Sequence, residues 1–113
     1  MACRNYISPF IFGGLVSEMK ESEFQKGLIN EIKKRYRGCL VMKNDPNYIQ
    51  GIPDLIVLYK NRWAALECKK NDSSGKQPNQ KYYVEKMGSM SFASFIFPEN
   101  RDDVLNRLDK FFE

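Results

Sequence analysis

Histidine is absent from all 113 residues, and that absence excludes more chemistry than any motif in the chain. Without imidazole there is no serine or cysteine triad with a histidine base, no histidine-ligated zinc and no histidine-metal nuclease finger. Carboxylates, lysines and an oxygen-bound metal must carry any catalysis. Cysteine is scarce: Cys3, Cys39 and Cys68 are odd in number and lack metal-ligand spacing, which predicts plain buried thiols in a reducing cytoplasm. No apolar run approaches the length of a membrane span, and residues 1 to 16 lack the basic start and apolar segment of a secretory signal. Neither internal repeats nor low-complexity segments occur. The length predicts a single domain over residues 1–113, with an N-terminal extension over 1–16 and a core over about 22–112.

What the chain does contain is concentrated in one stretch. Gly51-Ile52-Pro53-Asp54 leads into the apolar run Leu55 to Leu58, Lys60-Asn61-Arg62 forms a polar turn, and Trp63 to Leu66 leads into Glu67-Cys68-Lys69-Lys70. A strand sends residues i and i+2 to one face, so Glu67 and Lys69 project together while Leu66 and Cys68 face the other way. Asp54 joins them only if paired residue numbers in the hairpin sum to 121 or 123. A two-residue loop of Lys60-Asn61 gives the first sum and Asn61-Arg62 the second, and two residues is the commonest hairpin loop. An even sum or a bulge would turn Asp54 to the wrong side. The plain alternative, solvated charges at strand ends, fits each residue singly. Together and with the right parity they point to a site for a divalent cation beside a phosphodiester.

Pro53-Asp54, a gap of twelve residues and Glu67-Cys68-Lys69 resemble the signature of the PD-(D/E)XK nuclease superfamily. Gly51-Ile52 before it and Gln80 after it resemble most closely the VRR-NUC and Holliday-junction-resolvase-like branch, including small phage-encoded nucleases, over roughly residues 22 to 110. The resemblance implies a metal site of Asp54, Glu67 and the Cys68 backbone carbonyl. It also implies a position for Gln80 close to the metal and scissile phosphate, and an acid from the first helix. The Ser22-Glu23-x-Gln25 pattern is similar to the start of that helix, which favours Glu23 as the acid; Glu31 is the reserve. Complementing the helix dipole is the alternative role for Glu23.

The remaining chain reads as one α/β unit. Ser22 and Gln25 resemble a capping box, and Phe24, Leu28, Ile29, Ile32 and Tyr36 repeat at helical spacing until Gly38. Cys39 to Lys43 reads as a short strand, followed by the turn cluster Asn44-Asp45-Pro46-Asn47. After the hairpin, Pro78 opens a helix expected to end at Met87 with Gly88 beyond it. Ser91 to Phe97 reads as a buried strand, and Pro98 introduces a last helix that buries Val104, Leu105, Leu108, Phe111 and Phe112. The order α-β-β-β-α-β-α matches a restriction-endonuclease-like core, a central mixed β-sheet flanked by α-helices. Tyr6, Ile7, Phe10, Ile11 and Phe12 are too apolar for a free tail and are expected to pack on the core or on a second subunit.

Charge is placed unevenly. Residues 60 to 86 carry seven basic and three acidic groups, against eight and six before them and three and five after. A basic surface around an acidic pocket is expected where a polyanion approaches a metal. Lys43, Lys70, Lys76 and Lys81 are the expected contacts to nucleic acid, although Lys43 serves equally well as an edge lysine.

The expected activity is Mg²⁺-dependent hydrolysis of DNA phosphodiesters, with Mn²⁺ as a substitute metal and no organic cofactor. Asp54, Glu67, Cys68 and Glu23 would hold the ion and Lys69 would orient the water nucleophile. Structure-selective or nicking cleavage ranks first, a site-specific homing or restriction-type enzyme second. A non-cleaving nucleic-acid-binding module on the same fold is the alternative of another class, and an interaction protein with incidental acids is a third. A homodimer is expected if both strands are cut, working in the cytoplasm of a bacterial or phage-infected cell, with no membrane partner.

Overall fold

The computed structural model of the chain describes residues 20–113; Cys3 and the apolar residues of the N-terminal extension lie outside them. Helix α1 spans Glu21–Arg35, strand β1 Leu40–Lys43, β2 Leu55–Tyr59, β3 Arg62–Cys68, helix α2 Pro78–Met90, β4 Phe92–Ile96 and helix α3 Arg101–Phe112, the last entered through a 3₁₀ turn at Pro98–Asn100. This is the expected order of elements and the expected fold class.

The sheet runs β1-β2-β3-β4, with β1, β2 and β3 antiparallel and β4 parallel to β3. A parallel pair needs a crossover, and α2 supplies it while packing on β3 and β4. Strand alternation then sorts the side chains onto two faces. Leu55, Val57, Ala64, Leu66, Cys68 and Ile96 point to one face, where Phe24, Leu28, Ile32 and Tyr36 of α1 and Val104, Leu105, Leu108 and Phe112 of α3 close a buried core over them. Both helices present these residues at three- and four-residue spacing, the stripe that a helix buries on a sheet. The edges of this core are tied by polar contacts: Tyr36 donates its hydroxyl hydrogen to Asp109, and Arg35 pairs with the same carboxylate at 2.8 Å.

The opposite face carries Ile56, Leu58, Ala65, Glu67, Ala93 and Phe95, by alternation from the buried set. Helix α2 covers its β3 and β4 half, and no α2 residue is fully buried. The β1 and β2 half lies open, with Leu40, Met42 and Leu58 at 63, 47 and 36% exposure.

The strand read over Ser91 to Phe97 runs Phe92–Ile96 and is buried only at Ile96, the rest being half-covered, and two helix ends also differ from the sequence reading. Helix α1 begins at Glu21 with Lys20 as its cap rather than at Ser22, and the side chain of Glu23 accepts the Lys20 N–H at 3.2 Å. Helix α2 runs through Gly88 to Met90 and the chain turns into the strand only at Ser91; Gly88 lies on the side toward β4, where an added Cβ would meet Ala93 at ordinary van der Waals distance.

Candidate active site

The hairpin loop is Lys60-Asn61, with Lys60 at φ 58°, and it pairs Tyr59 with Arg62 and Leu55 with Leu66. One further step along this register sets Asp54 opposite Glu67, the first of the two parities that would bring the acids together. The end of β1 fixes the entry: Asn44 donates its backbone N–H to Asp54 O and its side-chain amide to Pro53 O, both at 2.8 Å. Asp54 and Glu67 then interlock across the strand ends. The Asp54 N–H donates to Glu67 Oε1 at 3.2 Å, and the Cys68 N–H donates to Asp54 Oδ2 at 2.9 Å. The carbonyl of Cys68 looks to the same side as its N–H, since both groups of a strand residue share a direction.

Gln80, in the first turn of α2, joins the pair to Lys69. Its Nε2 donates to Glu67 Oε2 at 3.0 Å, and its Oε1 accepts from Lys69 Nζ at 2.8 Å and from the Gln77 N–H at 3.0 Å. Two donors on one side and a carboxylate on the other fix which way the amide points. Lys69 Nζ stands 3.9 Å from Glu67 Oε2. The cluster is withdrawn from solvent, with Glu67 only 4% and Lys69 8% exposed.

Burial shows in the proton affinities. Desolvation, and then the neighbouring Asp54 charge, push Glu67 up to about 7, with Lys69 and the Asp54 N–H pulling the other way. Asp54 is raised by desolvation as well, against the Cys68 N–H and Lys69. Burial holds the Cys68 thiol far above the usual range, so it remains a thiol.

Glu21, which the sequence reading passed over, is raised by desolvation and by the Asp54 charge and lowered by Lys69 and Lys70. Its carboxyl therefore lies in the field of the cluster. The reason is helical phase: Glu21, itself exposed, precedes Phe24, Leu28 and Ile32 by three, seven and eleven residues and so lies in line with the buried stripe, one turn beyond its end. Starting the helix at Ser22 hid that signal.

Glu23, two residues on and about 200° round the helix, caps its own helix start at an exposed position and is not brought to the cluster. Glu31 is held by Arg35 at 3.3 Å and lies 3.9 Å from the buried Arg101. Lys43 pairs with Leu55 and so shares the core face, opposite to that of Asp54. Lys70 and Lys81 are exposed beside Lys69 and Gln80. Lys76 lies over the rings of Phe95 and Phe97, at 5.3 and 5.7 Å from their centroids.

Among the described residues no group of three or more histidine, cysteine, aspartate or glutamate side chains could hold a metal ion. Two facing carboxylates, both raised by burial, and a strand-end carbonyl nevertheless fit Mg²⁺. That ion takes hard oxygen donors, uses one or two carboxylates and leaves its other positions to water and substrate phosphate.

The sequence matches no family model and no curated protein. Solved structures do share the fold. One described as a VRR_NUC domain protein superposes with a TM-score of 0.63 at 19% identity, covering 85% of this chain and 93% of its own. Another, described as a VRR_NUC domain, gives 0.61 at 25% identity, covering 76% and 94%. The VRR-NUC resemblance read from Pro53-Asp54 and Glu67-Cys68-Lys69 is therefore matched by the fold.

Proposed function

We propose that this chain, with a fold shared with VRR_NUC domains, is a nuclease: a Mg²⁺-dependent endodeoxyribonuclease, structure-selective or nicking in its action. The observation that carries this reading is the facing of Asp54 and Glu67 across the strand ends, with Lys69 held alongside by Gln80. Two facing acids, Glu67 buried and Asp54 half-buried, repel each other unless a cation lies between them; a pure DNA-binding surface gains nothing from such a pair.

When bound, a divalent cation supplies Lewis-acid polarisation of a phosphate oxygen and acidifies the attacking water. The protein's own contribution is positioning and charge. Asp54 and Glu67 would hold the cation from the β2 and β3 ends with the Cys68 carbonyl, and Glu21 adds negative charge from α1. Glu67, raised to about 7, would have to give up its proton to hold the cation, so affinity would rise with pH through neutrality. Lys69, oriented by Gln80, offsets charge that grows on the phosphate in the transition state. Exposed Lys70 and Lys81 flank the cluster and would meet neighbouring phosphates.

One chain supplies one such cluster, so double-strand cutting calls for a homodimer. Free Cys39 and Cys68 suit a reducing cytoplasm, and among the described residues no helix is long and apolar enough to cross a membrane.

The test is Asp54→Ala against wild type on linear, nicked and four-way DNA, with Mg²⁺ and with EDTA. Cleavage by wild type in Mg²⁺ alone, reduced about 10³-fold or more in the variant, is the expected result. DNA binding without cleavage of any substrate would make the chain a binding module instead.

A further inference from the structure

The segment that delivers Asp54 also builds a second feature. Asp45 Oδ1 accepts the Asn47 N–H at 2.9 Å, Asp45 O accepts the Tyr48 N–H at 3.1 Å, and Ile49 O accepts the Ile52 N–H at 3.3 Å. Consecutive turns therefore hold the loop in shape. Gly51, at φ 91°, presses on Asn79 of α2 so closely that a Cβ would collide with it. Between loop and helix opens a cleft of about 350 Å³, bounded by Pro46, Gln50 and Gly51 on one side and Pro78, Asn79 and Gln80 on the other. That size stands at the small end of the roughly 300–1,000 Å³ usual for ligand clefts.

The lining is neutral throughout, unlike the charged cluster next to it, so it suits neither a phosphate nor a cation. Proline rings offer flat apolar surfaces, and side-chain amides offer paired donors and acceptors of the kind that read nucleobase edges. Gln80 belongs to both places: it lines the cleft and bonds Glu67 and Lys69. At the crown of the same loop, between the lining residues Pro46 and Gln50, Tyr48 is 85% exposed. A large ring held out in water by an ordered loop is suited to stacking.

We infer that this cleft and Tyr48 form a subsite for one unpaired nucleobase of the bound strand, next to the scissile phosphate. The inference rests on the nuclease reading and gives it a substrate class: DNA with a bulge, a flap or an unpaired junction base. An unpaired base enters without the loss of stacking and pairing that a duplex base would incur. Selectivity for branched or damaged DNA follows from this subsite rather than from the metal-binding acids.

The experiment measures binding, in EDTA so that strands stay intact, of two duplexes that differ only in one bulged 2-aminopurine. Wild type is expected to bind the bulged duplex about tenfold more tightly than the paired one and to quench the probe. Tyr48→Ala is expected to lose that tenfold on the bulged duplex alone and to leave the probe bright, whereas Tyr48→Phe retains both. Equal affinity of wild type for the two duplexes, or an equal loss on both in Tyr48→Ala, would overturn the subsite. Tyr48 is exposed, so circular dichroism should show both variants folded. Cleavage in Mg²⁺ keeps the two readings apart: Asp54→Ala tests the nuclease, and its result does not depend on whether Tyr48 distinguishes the duplexes.

Discussion

The two faces of the sheet have been put to different uses. Toward α1 and α3, Phe24, Leu28, Ile32, Leu55, Val57, Leu66, Ile96 and Leu108 have no accessible surface at all. Toward α2 the covering is thin, apolar side chains of β1 and β2 stand in water, and the most deeply buried side chains with charge to place are Glu67 and Lys69. Stability is built on the first face, and the candidate site lies on the second. The second face moreover holds groups that work against folding, since each raised carboxylate is more easily ionised in the unfolded chain.

The sharpest way to break this comparison is truncation on both sides. Leu28→Ala, on the dry face, should lower stability by about 2–5 kcal/mol, read from urea unfolding. Asp54→Asn, on the other face, should leave stability equal to wild type or above it while abolishing cleavage. A stability loss in Asp54→Asn comparable to that of Leu28→Ala would show that the acid pair is structural.

Glu67 sharpens it further, and pH gives the sign. Its proton affinity is raised on folding from 4.5 to about 7, so between those values the native state binds more protons than the unfolded one, and stability falls as pH rises. The upper bound on this loss is about 3 kcal/mol. Glu67→Gln removes the titration. It should therefore be more stable than wild type at pH 8 and lose that advantage by pH 4.5, measured by denaturant midpoints. Millimolar Mg²⁺ at pH 8 should raise the midpoint of wild type and not that of Glu67→Gln, because a ligand stabilises only the state that binds it.

Legibility in the sequence divides along similar lines. The hairpin was readable because strand alternation and a two-residue loop are local rules, and Asp54, Glu67 and Lys69 lie within one such unit. The dry face was readable too, as the repeat of Phe24, Leu28 and Ile32 is a strong helical signal. Glu21 was lost for a local reason: Ser22 has the chemistry of a cap, but the chain caps at Lys20, and placing the cap two residues late left the acid outside the helix. The open half of the sheet was illegible for a longer-range reason. Leu40 and Met42 resemble any buried strand residues, and only the placement of α2 over β3 and β4 leaves them outside. The cleft between the loop and α2 depends on Gly51 meeting Asn79, a contact that no periodicity announces.

Gln80 tests whether the second face works as one unit. Gln80→Leu keeps the bulk of the side chain but removes three hydrogen bonds, to Glu67, Lys69 and Gln77. Loss of a group that orients metal-site ligands typically costs 10–100-fold in activity or metal affinity, and a fall of that size is expected in Mg²⁺ titrations of cleavage. A fall confined to maximal rate, with unchanged Mg²⁺ dependence, would assign Gln80 to Lys69 alone.

The smallest effect decides between the two acids of α1. Glu21 feels the Asp54 charge from one turn beyond the buried stripe, whereas Glu23 bonds the Lys20 N–H at the helix start. Glu21→Gln should therefore raise the Mg²⁺ concentration needed for half-maximal cleavage by up to about tenfold, and its folding midpoint should stay near that of wild type, since relief of repulsion by Asp54 offsets the loss of a first-turn carboxylate. Glu23→Gln should leave the Mg²⁺ dependence within twofold and lower stability by at most about 0.5–1 kcal/mol, as a first-turn carboxylate that complements the helix dipole would. The two substitutions make the same chemical change two residues apart, so helix propensity and net charge cancel between them, and what remains is direction round the helix and the Lys20 N–H bond of Glu23. A larger Mg²⁺ effect from Glu23 would mean that α1 turns its other flank to the site when the cation binds.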